Sequence, residues 1–189
     1  ALFIASNLIV SALFGYGSFS ETSVENSAQA LFYFAFGLPA FSLIKVFSSF
    51  FFARHDTKTP FYISLVSVLL NILISVLLFQ KVGFIIIPIA TSISSWFNAI
   101  FLYIFSKKKD FFVFNDIFIY RFPRILISSL IMGLIFYFLL NLLSEKLIYS
   151  ENLKFIYLLL SILVALTSYV AVSIFTKAFK MSDINLKYK

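Results

Sequence analysis

The sequence predicts an all-α protein, a polytopic transmembrane helical bundle of about six helices. Six stretches contain no Asp, Glu, Lys or Arg: residues 1–20, 26–44, 59–80, 82–106, 125–144 and 155–176. Their lengths match the roughly 20 residues that a helix needs to cross a ~30 Å hydrocarbon core. They also lack the alternation of barrel strands, and in lipid only helices and closed barrels satisfy their own backbone.

Composition excludes several other classes of protein. Hydrophobic residues make up 61% of the 189 residues and charged residues only 12%, which leaves no polar coat for a water-soluble surface. The net charge of +7 resides in the connecting segments and therefore indicates membrane topology rather than nucleic-acid binding. The chain has no cysteine and one histidine, which excludes disulfides, thiolate nucleophiles and Cys- or His-rich metal sites. We therefore do not expect an enzyme.

The first four spans are predicted at residues 1–18, 30–53, 60–80 and 84–106. The second span extends past one charged residue, Lys45. The third is expected to start at Thr59-Pro60, with Thr59 as the cap and Pro60 at the first helical position, where its missing N–H costs nothing. Only the short turn at 80–83 joins the third and fourth spans, which predicts antiparallel neighbours.

The second half of the chain is predicted to contain a linker, two helices and a tail. The linker, residues 107–124, contains enough apolar residues to form an amphipathic helix in the membrane interface. Two helices follow within residues 125–176, with Pro123 near the start of the fifth span, and residues 177–189 form the tail. Because the chain begins at Ala1 inside an apolar run, without the features of a signal peptide, we expect a fragment of a longer protein.

Charge distribution predicts the orientation. Eleven Lys and Arg residues lie in the segments 53–60, 106–124 and 177–189, and only three lie in the alternate segments. The positive-inside rule therefore places the loop with Arg54, the linker and the C-terminal tail in the cytoplasm.

Lys45 is the first candidate functional residue. It stands nine residues before Arg54, or roughly 13 Å inside its helix at 1.5 Å per residue. An intramembrane cation is costly and indicates a transport pathway or a charged partner. The alternative is that Lys45 reaches a water-filled cavity or caps the carbonyls of a neighbouring helix without touching a substrate. On the same helix, Pro39 frees the carbonyl of Ala35 and predicts a kink.

Two polar stripes face each other across the third and fourth spans. The first contains Ser64, Ser67, Asn71 and Ser75, and the second contains Thr91, Ser94, Ser95 and Asn98. Each set lies largely on one helical face, so the stripes are expected to meet or to line a common cavity. One interpretation is interhelical hydrogen bonding and small-residue packing; the other is a solvated or ion-binding role.

The loop between the second and third spans is dense in polar residues. Asp56 is expected to cap backbone N–H groups and to pair with Arg54 or Lys58. The adjacent His55 has no nucleophile near it in the sequence, so acid–base catalysis is not expected.

A 24-residue run, GLPAFSLIKVFSSFFFARHDTKTP at residues 37–60, is the most specific motif of the chain. It closely resembles the MurJ (MviN) family of lipid II flippases, members of the multidrug/oligosaccharidyl-lipid/polysaccharide (MOP) exporter superfamily. The stretch LFGYGSFS at 13–20 is similar to the family's F-x-x-G-x-F outer loop, and the resemblance continues through Asn71, Gly83 and residues 90–98. The last two helices match in length and placement only.

The resemblance implies a fourteen-helix fold with two six-helix lobes around a central cavity and two further helices that form a lipid-tail groove. On this map the chain is the C-terminal portion, roughly helices nine to fourteen. Residues 1–106 would belong to the C-terminal lobe, 107–124 to a cytoplasmic or interfacial linker, 125–176 to the two additional helices and 177–189 to a cytoplasmic tail.

The implied activity is translocation of lipid II, an undecaprenyl-diphosphate-linked muropeptide, from the inner to the outer leaflet of the bacterial inner membrane by alternating access. The implied partners are membrane lipids, lipid II or a similar polyprenyl-diphosphate glycan, and the missing N-terminal half, but no nucleic acid. No cofactor is expected beyond a coupling ion, either sodium or a proton. Two alternatives stay open: a related MOP-superfamily exporter of polysaccharide or O-antigen lipid, and a non-transporting scaffold of the cell-wall machinery.

The resemblance also implies roles for individual residues. Lys45 matches a lysine of the family's run and would line the cavity, where it would attract the diphosphate; Ser42, Ser49 and Pro39 are assigned to the same cavity-lining set. The cytoplasmic gate-side loop would contain Arg54, Asp56 and Lys58. Part of the family has a sodium site on the helix pair that matches residues 59–106, and the corresponding candidate ion-site residues here are Asn71, Ser75 and Thr91. Ser75 stands where the pattern has a carboxylate, which argues against sodium coupling in this chain.

Overall fold

The structure, a computed structural model, describes residues 2–112, 116–147 and 153–178, except for the side chains of residues 116, 117 and 145. Six α-helices follow one another in these residues: α1 (Leu2–Phe14), α2 (Glu21–Phe52), α3 (Lys58–Val82), α4 (Ile86–Lys108), α5 (Asp116–Leu142) and α6 (Lys154–Phe175). Short 3-10 turns lie at Gly83–Ile85 and Ser144–Lys146, and no strand occurs in the described part of the chain. The prediction of an all-α protein is confirmed.

Four segments are long and apolar enough to cross a membrane: α2, Lys58–Lys108, Phe118–Leu142 and α6. The Lys58–Lys108 segment contains two helices of 25 and 23 residues, α3 and α4, which pack against each other after the turn at Gly83. The predicted antiparallel pairing of these two helices is therefore confirmed. Gly83 has φ +75°, which a glycine adopts without steric cost, and this conformation lets the chain reverse direction.

The helix boundaries differ from the predicted ones in three places. The span predicted at 1–18 is helical only to Phe14, because Gly15 closes the helix on the carbonyl of Ser11 and Gly17 adopts φ +63°. The span predicted at 30–53 begins earlier, at Glu21. The hydroxyl of Ser20 accepts a hydrogen bond from the N–H of Ser23 at 3.2 Å, which is the bond of an N-cap.

The third difference concerns the linker predicted at 107–124. Helix α4 continues to Lys108, and α5 begins at Asp116, so Pro123 lies inside α5 instead of at its start. A membrane helix tolerates an interior proline where neighbouring groups satisfy the freed carbonyl. The interfacial position of this segment stays a prediction, and most of the tail, residues 179–189, lies outside the described residues.

The chain divides into two compact units. The first contains Phe3–Val24 and the described part of Phe114–Lys189. In it α5 and α6 pack against each other, and Ser128, halfway along α5, lies 3.3 Å from Thr176, just beyond the end of α6. The core of this unit is formed by buried residues of α1, α5 and α6 and of the segment after α5: Ala5, Ala12, Phe136, Leu140, Leu147, Leu158 and Ala165.

The second unit contains Glu25–Val113 and therefore most of α2 with α3 and α4. Its core lies where α2 ends, α3 begins and α4 ends, and it consists of Phe47, Phe51, Ile63 and Leu102. Phe111 and Phe112 follow α4 and fold back onto this core, since their rings lie 5.4 Å from Phe51 and 5.6 Å from Phe47. Aromatic packing thus holds the three helix ends together.

Candidate functional site

The candidate site begins with one face of α2. Pro39, Ser42, Lys45 and Ser49 follow one another at intervals of three, three and four residues, which places them on a single helical face. All four are exposed in the second unit. The hydroxyl of Ser42 donates to the carbonyl of Leu38 at 3.2 Å, and that of Ser49 donates to the carbonyl of Val46 at 2.7 Å. The two serines are therefore satisfied within the helix.

Lys45 differs from these serines because no hydrogen bond or ion pair within the described residues engages its ammonium group. It lies seven residues before the end of α2, inside an apolar span. An ammonium group that faced lipid at this depth would be strongly unfavourable. This face of α2 therefore requires water, a ligand or further protein against it.

Helix α4 contacts α2 two to three turns before Lys45. Ser92 donates to the carbonyl of Tyr33 at 2.6 Å, and Trp96 Nε1 donates to the carbonyl of Phe36 at 2.8 Å. The close approach occurs at Gly37, where an added Cβ would lie only 3.1 Å from Ser92 Oγ. A role of Ser92, Trp96 and Gly37 in this contact was not predicted from the sequence. Gly37, a small residue in an apolar helix two residues before Pro39, is the signal that could have located it.

An apolar groove of about 470 Å³ runs along the α2–α4 contact. It is lined by Tyr33, Phe36, Ile89, Ser92, Ile93, Trp96, Phe97 and Ile100. The hydroxyl of Ser92 and the indole N–H of Trp96 are both donated to backbone carbonyls, so the groove offers an apolar surface. Helix α2 continues through Pro39 without interruption, and the predicted kink stays a prediction.

The polar stripes of α3 and α4 meet, as predicted. Asn71 Nδ2 donates to Thr91 Oγ1 at 3.2 Å, and Ser75 donates to Asn71 Oδ1 at 3.2 Å. Thr91 in turn donates to the carbonyl of Ile87 at 2.8 Å. The three residues of the candidate ion site thus form a neutral chain of hydrogen bonds in which each has a partner. This arrangement matches the packing interpretation of the stripes.

A second contact joins the stripes two turns further along α4. Asn98 Nδ2 donates to Ser64 Oγ at 3.3 Å, while Asn98 Oδ1 is buried and has no hydrogen-bond partner within the described residues. Ser67, Ser94 and Ser95 belong to the same stripes but donate to carbonyls of their own helices. The seam between α3 and α4 therefore depends on the two asparagines.

The turn at 53–57 carries the third group of candidate residues, and Asp56 is its centre. Its Oδ1 accepts a hydrogen bond from the N–H of Thr59 at 3.1 Å, and its Oδ2 accepts one from the hydroxyl of Thr59 at 2.8 Å. The prediction that Asp56 caps backbone N–H groups is therefore confirmed. The prediction of Thr59 as the N-cap is wrong, because that position is Thr57, which makes no side-chain capping bond. The carboxylate of aspartate accepts N–H bonds strongly at a helix N-terminus, so Asp56, three residues before Thr59, takes the role.

Asp56 also forms a salt bridge, but with a residue distant in sequence. Lys109 Nζ lies 2.6 Å from Asp56 Oδ2 and 3.1 Å from Thr59 Oγ1. The predicted pairing of Asp56 with Arg54 or Lys58 is wrong, because Lys109 reaches Asp56 from the end of α4. The hydrogen bond from Lys109, with those from Thr59, lowers the pKa of Asp56 from 3.8 to about 2. The carboxylate is therefore ionised at neutral pH.

The other members of this turn are exposed. Arg54 donates to the carbonyl of Phe50 at 3.2 Å and lies 4.5 Å above the ring of Phe111. Lys58 begins α3 and is exposed. His55 adopts φ 57° and is exposed.

A further lysine, in the first unit, was counted in the sequence only as an orientation signal. Lys154 begins α6 and is 1% exposed. Its Nζ donates to the carbonyl of Gly15 at 2.9 Å and lies 4.4 Å from the centre of the Tyr16 ring. Lys154 therefore caps the C-terminal end of α1, where a cation is favoured by the helix dipole.

The sequence of this chain is similar to those of known proteins. A family model described as "Lipid II flippase MurJ" matches residues 1–159. A protein of Rickettsia prowazekii named "Probable lipid II flippase MurJ" is 38% identical over 108 residues, which is 57% of this chain and 21% of that protein. Proteins of the same name from Rhizobium meliloti and Buchnera aphidicola subsp. Schizaphis graminum are 34% and 35% identical over 72% and 74% of this chain. The chain spans about a quarter of the length of these relatives, 21% to 27%.

Proposed function

The chain belongs to the lipid II flippase MurJ family, and from that membership we propose that it forms part of a flippase for lipid II or a similar polyprenyl-diphosphate glycan. The family is one of membrane transporters, and the apolar helices agree with a multi-pass protein of the bacterial inner membrane. Because the chain spans only about a quarter of its relatives, it would act together with the remaining helices, in one polypeptide or as a split partner.

The observation that carries this proposal is the exposed ammonium of Lys45. It lies at membrane depth, without a partner among the described residues, on a face shared with Ser42 and Ser49. A diphosphate carries the opposite charge, and two unit charges 4 Å apart attract by roughly 4 kcal/mol at an effective dielectric constant near 20. We assign Lys45 to the cavity that admits the diphosphate during alternating access.

Rescue of a flippase-depleted bacterium tests this assignment. The full-length protein carrying Lys45→Ala should reach the membrane at the wild-type level and fail to restore growth, whereas Lys45→Arg should retain partial rescue because it keeps the cation. Lys81→Ala changes an exposed lysine in the last turn of α3. It is the matched control and should rescue fully. Full rescue by Lys45→Ala would contradict the role of Lys45. Failure of the wild-type gene to rescue would instead favour the exporter or scaffold interpretation.

We also propose that transport does not require a sodium ion bound between α3 and α4. Asn71 Oδ1 already accepts the hydrogen bond of Ser75, Thr91 Oγ1 accepts that of Asn71, and no carboxylate of the described residues takes part. A sodium site in a protein interior normally gains much of its affinity from such a charge. Rescue by the wild-type gene should therefore be equal in sodium-containing and sodium-free potassium medium. A requirement for sodium that Ser75→Ala removed would contradict this proposal.

We also propose an orientation of the chain in the membrane. The eleven-to-three distribution of basic residues supports a cytoplasmic position for the 53–57 turn and for the C-terminus. A single cysteine in place of His55 should be spared by a membrane-impermeant thiol reagent applied to intact cells, and one in place of Glu21 should react. The reverse pattern would invert the topology.

A further inference from the structure

Five cations gather at the end of the second unit where α2 ends, α3 begins and α4 ends: Arg54, Lys58, Lys107, Lys108 and Lys109. The structure divides them into two groups. Lys109 is neutralised by Asp56, and Arg54 donates to Phe50 and stacks on Phe111. The other three, Lys58, Lys107 and Lys108, are exposed and make no hydrogen bond or ion pair with any described residue.

These three lysines, called the basic end patch below, are brought together by the salt bridge. Because Lys109 contacts both Asp56 and Thr59, the last turn of α4 lies beside the first turn of α3. Lys58 adjoins Thr59 in sequence, and Lys107 and Lys108 directly precede Lys109. The acids at this end are Asp56 and Asp110, so five cations against two acids leave a net charge of +3.

The position of Lys58 does not serve helix stability. The first turn of α3 contains no acidic residue, and its first residue is this lysine. A cation at a helix N-terminus is opposed by the helix dipole, whereas an anion is favoured there. Lys107 and Lys108, at the C-terminal end of α4, are placed as the dipole prefers. Asp56 already places a carboxylate at this helix end, so Lys58 is left exposed and available to an anion outside the chain.

Exposed apolar side chains adjoin the basic end patch on the side of the membrane spans. Phe61 and Tyr62 lie one turn into α3 and are 62% and 61% exposed, and Ile104 and Phe105 lie one turn before Lys107. Charge at the helix ends with aromatic and aliphatic surface one turn inward is the pattern of the bilayer interface, where phosphates lie above acyl chains. A soluble polyanion would use the charges but not this apolar surface.

We infer that the basic end patch binds the phosphate of an anionic phospholipid, whose acyl chains lie along Phe61, Tyr62 and Phe105. This inference depends on the membrane-spanning helices and the charge arrangement, not on transport of lipid II. It adds a lipid partner at the helix ends, distinct from the face of α2 that contains Lys45.

Lipid retention measured by native mass spectrometry tests the inference. The chain is purified in detergent and exposed to dioleoylphosphatidylglycerol or to dioleoylphosphatidylcholine, which has the same acyl chains without the net negative charge. We expect selective retention of phosphatidylglycerol that weakens as salt is raised. The variant with Lys58, Lys107 and Lys108 all changed to Gln should retain about tenfold less phosphatidylglycerol, since each lysine near the headgroups contributes attraction.

A charge-matched control separates the patch from total charge. Changing Lys81, Lys146 and Lys177 to Gln removes three exposed cations elsewhere and should leave retention unchanged. Thermal midpoints of both variants confirm that they are folded. Equal retention by the patch variant, or equal loss in the control, would overturn the inference. Loss of undecaprenyl diphosphate binding without loss of phosphatidylglycerol would overturn it as well, because the patch would then serve a polyprenyl substrate.

Discussion

Two lysines of the apolar helices, Lys154 and Lys45, have opposite environments. Lys154 is buried in the first unit, where its ammonium binds the carbonyl of Gly15 and the ring of Tyr16. Lys45 is exposed in the second unit, and no described residue binds its ammonium. A charge in a membrane helix needs a partner. Lys154 finds one within its own unit, whereas none of the described residues supplies one to Lys45.

The largest effect on stability is expected from Lys154→Met. The change keeps most of the apolar length but leaves the Gly15 carbonyl without the donor that caps α1. Hydrogen bonds to charged groups contribute roughly 1.5–3 kcal/mol, so the thermal midpoint in detergent should fall by several degrees. Lys146→Met, a change at an exposed lysine before α6, is the control and should leave the midpoint unchanged. An unchanged midpoint in Lys154→Met would show that the buried contact is not structural.

These two lysines also show which features of the fold could be predicted from the sequence and which could not. The long apolar helices α2 to α6, the helix order and the meeting of the polar stripes follow from local rules of length, charge and periodicity, whereas the predicted first span is a helix of only 13 residues. The partners of Lys154 and Asp56 do not, because Gly15 and Lys109 lie 139 and 53 residues away in sequence. In both cases the charged residue was noted from the sequence, but only the packing of the helix ends brings the partner to it.

The capping of α3 shows the same limit over a short distance. Threonine followed by proline is a sound signal for a helix start, yet the N-cap position is Thr57, and the side chain that binds the first turn of α3 is that of Asp56. Aspartate and threonine are both good caps, and the sequence offers both within four residues. The salt bridge with Lys109 adds a contact that local propensity does not include, and it favours Asp56.

A smaller effect is expected from Asp56→Asn. The amide can still accept from Thr59 but loses its ionic partner, whose side chain is 40% exposed. Solvent screening limits the loss to roughly 0.5–1 kcal/mol, measurable as a midpoint shift of a few degrees at most. Lys146→Gln, a change at an exposed lysine of the other unit, is the control and should have no effect on the midpoint.

The pH dependence of this contact has a definite sign. Because the folded pKa of Asp56 is lowered from 3.8 to about 2, its ionised form stabilises the fold fully above pH 3.8. That contribution is lost as the pH falls from about 3.8 toward 2. The wild-type protein and Asp56→Asn should therefore differ in thermal midpoint by a constant amount between pH 5 and 8, and the difference should shrink below pH 4. A difference that grew on acidification would contradict the assigned partners.

The smallest effect on stability is expected at Lys45, although its effect on transport is expected to be the largest. Since no described residue binds its ammonium, Lys45→Met removes no contact within the chain and should change the thermal midpoint by less than about 1 °C, the range of surface changes below 0.5 kcal/mol. Lys154→Met measured in parallel gives the scale. A midpoint loss at Lys45 as large as that at Lys154 would mean that Lys45 has a structural partner. An unchanged midpoint together with failed rescue would separate its role from folding, because the charge would then matter only when the anion or the remaining helices are present.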